Sequence, residues 1–167
     1  MTSTQADIAL PQYALSVRQP WAWAICHAGK HLENRTWGGW SHDLTRFRGP
    51  VCIHASSGMT RDEYDSARDF MAAHGVRVPP AREMIRGAII GTAVVTGWTR
   101  NDPSFWFTGP GALVLSEMTA LKNPIPCCGA LGFFKWTMGG ALAPPARWMQ
   151  DKPPLSNRAV VQKGTLL

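Results

Sequence analysis

Residues Arg86–Trp98 read R-G-A-I-I-G-T-A-V-V-T-G-W, and the reading of this run decides the fold. It is the longest strand signal in the chain and is rich in β-branched residues, which suit a pleated, half-buried surface. Gly91 interrupts it. A glycine inside a strand pattern marks a bend or bulge of the kind small barrels use at their corners. Toward the C-terminus, a loop containing F-W-F-T-G-P-G leads to a further strand, Ala112–Ser116. The turn N-P-I-P-C-C-G then precedes a last strand, L-G-F-F-K-W.

Toward the N-terminus, Val51–His54 (V-C-I-H) reads as a strand closed by the polar turn A-S-S-G. Thr60 opens a T-R-D-E capping box, with Glu63 placed to reach back to the first helical turn. Tyr64, Ala67 and Met71 give the following helix an apolar stripe, with Phe70 beside it, and Gly75 ends it. Tyr13–Val17 alternates as a short strand. Pro20 can start a helix whose face holds Trp21, Ala24, Ile25 and Ala28, and Gly29 is suited to stop it. Several strands with two helices predict an α+β fold around a small curved sheet or β-barrel flanked by helices.

The chain has 167 residues, enough for one domain with a substantial core. Three segments are expected: a polar, loose N-terminus over 1–12, a folded domain over 13–137, and a basic Gly- and Pro-containing tail over 138–167. No stretch approaches the roughly 20 apolar residues of a membrane span, and the first residues lack a secretory pattern, so a cytoplasmic protein is the expectation. Cys26, Cys52, Cys127 and Cys128 fit no zinc or redox spacing and are read as buried or half-buried free thiols. No phosphate-binding glycine loop, zinc signature or dinucleotide fingerprint is present, and neither a metal nor a cofactor is expected.

The formal charge is +6 and sits unevenly. From Met118 onward six cations (Lys122, Lys135, Arg147, Lys152, Arg158, Lys163) face one acid, Asp151. Arginine outnumbers lysine twelve to five and there are eight tryptophans. Arginine offers planar bidentate contacts to phosphate, and tryptophan offers a stacking face, so the composition suits a nucleic-acid ligand.

The densest cluster of such residues is G-K-H-L-E-N-R-T-W, Gly29–Trp37, just after S-V-R-Q-P-W. Lys30 and Arg35 flank Glu33, which could hold both cations while their remaining donors face a ligand. The spacing also fits a plain surface ion pair worth little. Arg18 could meet a phosphate. Trp21 shares its helical face with core residues, so Trp37 and Trp40 in the loop are the better stacking candidates. Arg46 and Arg48, ahead of the strand to His54, fit phosphate contacts and solvated charges equally. His54, at a strand end next to Ser56 and Ser57, could move a proton, although such a histidine is more often simply hydrogen-bonded and partly buried, and no G-x-S-x-G elbow supports a serine hydrolase.

In this order, the elements S-V-R-Q-P-W, G-K-x-x-E-x-R, R-G-x-x-x-I-H-A-S, I-I-G-T-A-V-V and P-I-P-x-x-G-x-L-G-F-F-K-W resemble the ASCH domain family of the PUA-like superfamily, over about Tyr13–Trp136. The resemblance implies a compact β-barrel flanked by helices, with a cleft lined by Gly29, Lys30, Glu33 and Arg35. It also implies binding of RNA or other nucleic acid there, with Arg18, Gln19 and Trp21 approaching the motif. Some single-domain relatives of that family are enzymes, either a ribonuclease or a hydrolase of N4-acylated cytidine. The latter use a threonine three residues after the motif lysine, where this chain has Glu33, so their catalytic set does not transfer.

Three functional readings follow. The first is binding of single-stranded RNA, or of a nucleotide or nucleoside, in a basic cleft, through Arg18, Gln19, Trp21, Lys30, Glu33, Arg35, Trp37, Trp40, Arg46, Arg48 and Ser56. The second is an enzyme acting on RNA or a modified nucleoside, with Lys30, Glu33 and His54 as catalytic candidates. The third is a protein-interaction module that docks a partner through the basic tail.

Overall fold

A computed structural model of the chain describes residues 9–36 and 43–150. Six strands form one sheet: β1 (Tyr13–Val17), β2 (Leu32–Arg35), β3 (Gly49–Ala55), β4 (Ala88–Thr99), β5 (Gly111–Pro126) and β6 (Phe133–Lys135). Four helices accompany it: α1 (Trp21–His27), α2 (Asp43–Arg46), α3 (Arg61–Ala73) and α4 (Arg147–Gln150). The spatial order is β2-β5-β4-β3-β1-β6. Every pairing is antiparallel except β1 with β3, which run parallel with Ser16 opposite His54. The result is a mixed α+β protein with a curled, half-barrel sheet.

The curl has a local cause. The β4–β5 ladder slips register three times, between Ile89 and Gly91, Thr92 and Val94, and Val95 and Gly97. Each such irregularity adds twist and bends the strand. Gly91 sits at the first of them, as its position in the strand pattern predicts. A Cβ on Gly91 would lie 2.4 Å from Cys26 Sγ and 2.5 Å from the Thr119 carbonyl oxygen, so only glycine lets α1 and β5 approach here. Ala22 and Ile25 of α1 fill the core with Leu15, Val51, Ile53, Ile90, Val95 and Leu113.

α3 closes a second core against the sheet, through Ala67 and Met71 with Leu32, Trp106 and Ala112. Its capping box is complete: Glu63 N donates to Thr60 Oγ1 and Thr60 N donates to Glu63 Oε2 at 2.7 Å. α1 ends where Gly29 takes φ +70°.

One sequence expectation changes. β5 runs sixteen residues, not the five of Ala112–Ser116, and N-P-I-P belongs to its end and not to a turn. The reason is the pairing of Ala88 with Pro126 and of Ile89 with Ile125, which carries the strand across its prolines at the end of the ladder. The chain from 138 to 146 lacks regular structure, yet it is tied down. Ala143 N donates to Arg86 O, Arg86 Nη2 donates to Pro144 O at 2.8 Å, and Met149 of α4 is buried with Met59, Tyr64 and Met84. At the other end, Trp136 Nε1 donates to Pro11 O at 2.7 Å.

The four cysteines are free; Cys52 and Cys127 are buried, Cys26 is half-buried and Cys128 is exposed. Burial pushes the Cys26 thiol up to about 12 and Cys52 to about 11, which keeps both protonated. Among the described residues, no helix is long and apolar enough to cross a membrane, and no group of three or more His, Cys, Asp or Glu could hold a metal ion.

Candidate nucleic-acid site

β2 is short, but it carries Glu33 and Arg35 of the G-K-x-x-E-x-R element past one end of α1 and opposite α3, with Gly29 and Lys30 just before it. A cavity of about 590 Å³ opens there. Arg18, Gln19, Trp21, Lys30 and Glu33, all anticipated from the sequence, line it. Asn34, Phe70, Trp106 and Thr108 complete its walls, with Asp62, Glu63, Ser66 and Ala67 contributed by α3.

Lys30 is 2% exposed, which is unusual for a lysine and requires partners. Its ammonium donates to Glu33 Oε2 at 2.8 Å and to the Leu32 carbonyl, and it lies 5.8 Å from the centre of the Trp21 ring. The Arg35 guanidinium stands 3.4 Å from Glu33 Oε1 and donates to Ser16 O at 2.9 Å, which ties β2 to β1. Glu33 therefore sits between two cations, as the spacing allowed, and the cluster is buried. Glu33 is the group both cations share, so its loss would leave both without their common carboxylate.

At the rim, Arg18 and Glu63 form a bidentate pair, Nε to Oε1 at 2.6 Å and Nη2 to Oε2 at 2.7 Å. This pairing, with help from the Thr60 amide, holds the Glu63 carboxyl down to about 2. Gln19 is buried and both ends of its amide are engaged, by Ile85 O and by Trp23 N, each at 2.8 Å. Its side chain thus fixes the start of α1 beside the cavity.

The aromatic wall consists of Trp21, Phe70 and Trp106. Trp21 and Phe70 meet edge to face, 5.8 Å apart at 67°. Trp21 is half-buried and serves both the core and the cavity. Trp106 is held by Asn34, whose Nδ2 donates to Trp106 O at 2.8 Å while its Oδ1 accepts from Thr108 N at 2.9 Å and Gly109 N at 3.3 Å. Sequence reasoning named neither Asn34 nor Trp106 as functional. The only signal was F-W-F-T-G-P-G, a loop with aromatic content and no visible partner.

Other predicted residues lie elsewhere, and Gly29 and Arg35, expected in the cleft wall, do not line this cavity. His54 and Ser56 line a different pocket, with Ser16, Gly87, Cys127 and Gly129. Arg46 and Arg48 are exposed and line neither cavity; Arg48 Nη1 donates to Thr45 O and Phe47 O. Trp37 and Trp40 lie outside the described residues. A basic cleft is the expectation from the sequence, but the charged groups lining the first cavity nearly balance with one acid in excess: Arg18 and Lys30 against Glu33, Asp62 and Glu63. Such a lining suits a polar, largely uncharged group between aromatic faces better than it suits a phosphate.

No protein-family model matches the chain, and no curated protein sequence is similar to it.

Proposed function

We propose that the chain is an ASCH-type, PUA-like protein that binds single-stranded RNA or a nucleotide by taking a base into the cavity between β2 and α3. One observation carries the reading: Lys30 and Glu33 of the G-K-x-x-E-x-R element form a buried ion pair in the wall of an aromatic cavity of about 590 Å³. That size lies within the range of small-molecule sites, about 300–1,000 Å³. Trp21, Phe70 and Trp106 supply faces for base stacking, worth about 1–3 kcal/mol per base. The Lys30–Glu33 pair supplies a donor and an acceptor side by side, which matches the polar edge of a base. Because the lining charges nearly cancel, the base and sugar enter, and phosphates stay at the rim or beyond it, toward exposed cations.

The binding reading is favoured over Lys30 as a nucleophile. Two of the three ammonium donors are already engaged by Leu32 O and Glu33. Those two contacts fix the group in the cavity wall as a positioned donor, which is the part the binding reading gives it. Fluorescence anisotropy with labelled RNA and DNA oligonucleotides at low salt tests the proposal. Binding that weakens as salt rises and is lost in Trp106→Ala supports it, and no binding by either nucleic acid ends it. Labelled RNA and N4-acetylcytidine incubated with the protein test the enzymatic alternative; turnover abolished by Lys30→Ala would favour it instead.

A further inference from the structure

The pocket that holds His54 lies apart from the Lys30 cavity and has its own chemistry. It measures about 520 Å³ and no Asp, Glu, Lys or Arg lines it. Its polar groups are Ser16, His54, Ser56, Ser57, two cysteines and backbone. The parallel pairing of β1 with β3 sets Ser16 opposite His54, and Ser16 Oγ lies 3.2 Å from His54 Nδ1. The other ring nitrogen, Nε2, lies 3.1 Å from the Cys127 carbonyl oxygen. A carbonyl only accepts, so Nε2 carries the proton, and Nδ1 is left as the acceptor for the Ser16 hydroxyl.

Three further features make this more than a strand-to-strand hydrogen bond. His54 is 1% exposed and burial lowers its pKa, so the imidazole is neutral at neutral pH and has a lone pair to accept a proton. Gly129 packs against the ring so closely that a Cβ there would lie 2.4 Å from His54 Cε1, which fixes the ring plane. Ser56 Oγ is buried without a hydrogen-bond partner among the described residues, although its own amide donates to Val17 O at 3.0 Å beside the Ser16–His54 pair. A buried hydroxyl without a partner is costly, and its donor is uncommitted beside the Ser16–His54 pair.

We propose that this pocket is an acyl-transfer site for small uncharged esters, with Ser16 the nucleophile, His54 the base and Ser56 the donor to the developing oxyanion. Ser16 Oγ bonds to the ester carbonyl carbon as its proton passes to His54 Nδ1. The carbon–oxygen bond to the alcohol breaks, and the alcohol leaves with that proton. Water then attacks the acyl-serine and gives a proton to His54, which returns it to Ser16 Oγ as the carboxylic acid departs. The Cys127 carbonyl orients the ring throughout and faces the imidazolium as it forms.

The test is incubation of the full chain with p-nitrophenyl acetate and, separately, with an alkyl fluorophosphonate, read by intact mass and peptide mapping. The expected result is one adduct per chain on Ser16, absent in Ser16→Ala. Release of p-nitrophenol should fall at least tenfold in Ser16→Ala and in Ser56→Ala, with both variants melting cooperatively. Adducts on Cys128, the exposed thiol of the same pocket, in place of Ser16 would overturn the proposal. So would an unlabelled chain, or release unchanged in Ser16→Ala.

Discussion

Lys30 and Glu33 stand three residues apart and meet at 2.8 Å with side chains only 2% and 10% exposed, so the central charge pair of the chain is a wall of its cavity and not a surface ornament. Glu33 also faces Arg35 at 3.4 Å. Removing the carboxylate leaves two buried cations without their common partner, whereas removing Lys30 leaves Glu33 with Arg35. Glu33→Ala is therefore expected to cost about 3–5 kcal/mol, and Lys30→Met measurably less. Urea denaturation of the two variants checks the order; equal losses would mean that Arg35 gives Glu33 no support.

Asn34 is the clasp between β2 and the aromatic loop. Asn34→Ala removes three hydrogen bonds and is expected to destabilise the protein by about 1–3 kcal/mol. Its particular mark is local. Amide exchange of Thr108 and Gly109 should speed up more than that of β4, and RNA affinity should fall because Trp106 is no longer positioned. Uniform acceleration across the sheet would show a purely global effect.

Gly91 permits the contact of α1 with the β4–β5 bulge. Gly91→Ala forces a methyl against Cys26 Sγ and the Thr119 carbonyl and is expected to cost about 1–3 kcal/mol or more. Adding Cys26→Ala should recover part of the loss only, because the Thr119 oxygen is backbone. Full recovery in the double variant would place the whole clash on the thiol.

Two groups make the fold acid-sensitive in separate windows. The folded pKa of His54 lies below its ordinary 6.5, because burial disfavours the imidazolium. Its contribution is complete above about pH 6.5 and is lost as pH falls below that toward the folded value. Glu63, held at about 2 chiefly by Arg18, contributes above the usual carboxylate range near 4.5 and loses that share as pH falls toward 2. Its side chain is 40% exposed, so this second share is small. Denaturation midpoints measured from pH 8 to pH 3 should decline in both windows. His54→Gln should flatten the first and Glu63→Gln the second.

Much of this was legible because it is local. The Thr60–Glu63 capping box, the stop at Gly29, the Tyr64–Ala67–Met71 stripe and the bulge at Gly91 each depend on residues within a turn or two. The pairing of Lys30, Glu33 and Arg35 was legible for the same reason, but their spacing alone fits a surface ion pair, and their burial depends on α1 and α3 packing over β2. Asn34 was not, because its partners lie more than 70 residues away. The Ser16–His54 pair was equally hidden, since it arises from a parallel pairing that no local pattern encodes. The length of β5 was obscured by its two prolines, which read as a turn until β4 is laid beside them.

The central claim is that the cavity walled by Lys30, Glu33, Trp21 and Trp106 takes a nucleic-acid base. Two-dimensional 1H–15N NMR of the full chain during titration with short single-stranded RNA at low salt tests it most directly. The account predicts shifts concentrated in the amides of residues 30–35, 63–70 and 106–108 and in the indole signals of Trp21 and Trp106. Those shifts should be reproduced by a free nucleoside at higher concentration. An unchanged spectrum, or shifts confined to residues that line neither this cavity nor its rim, would contradict it.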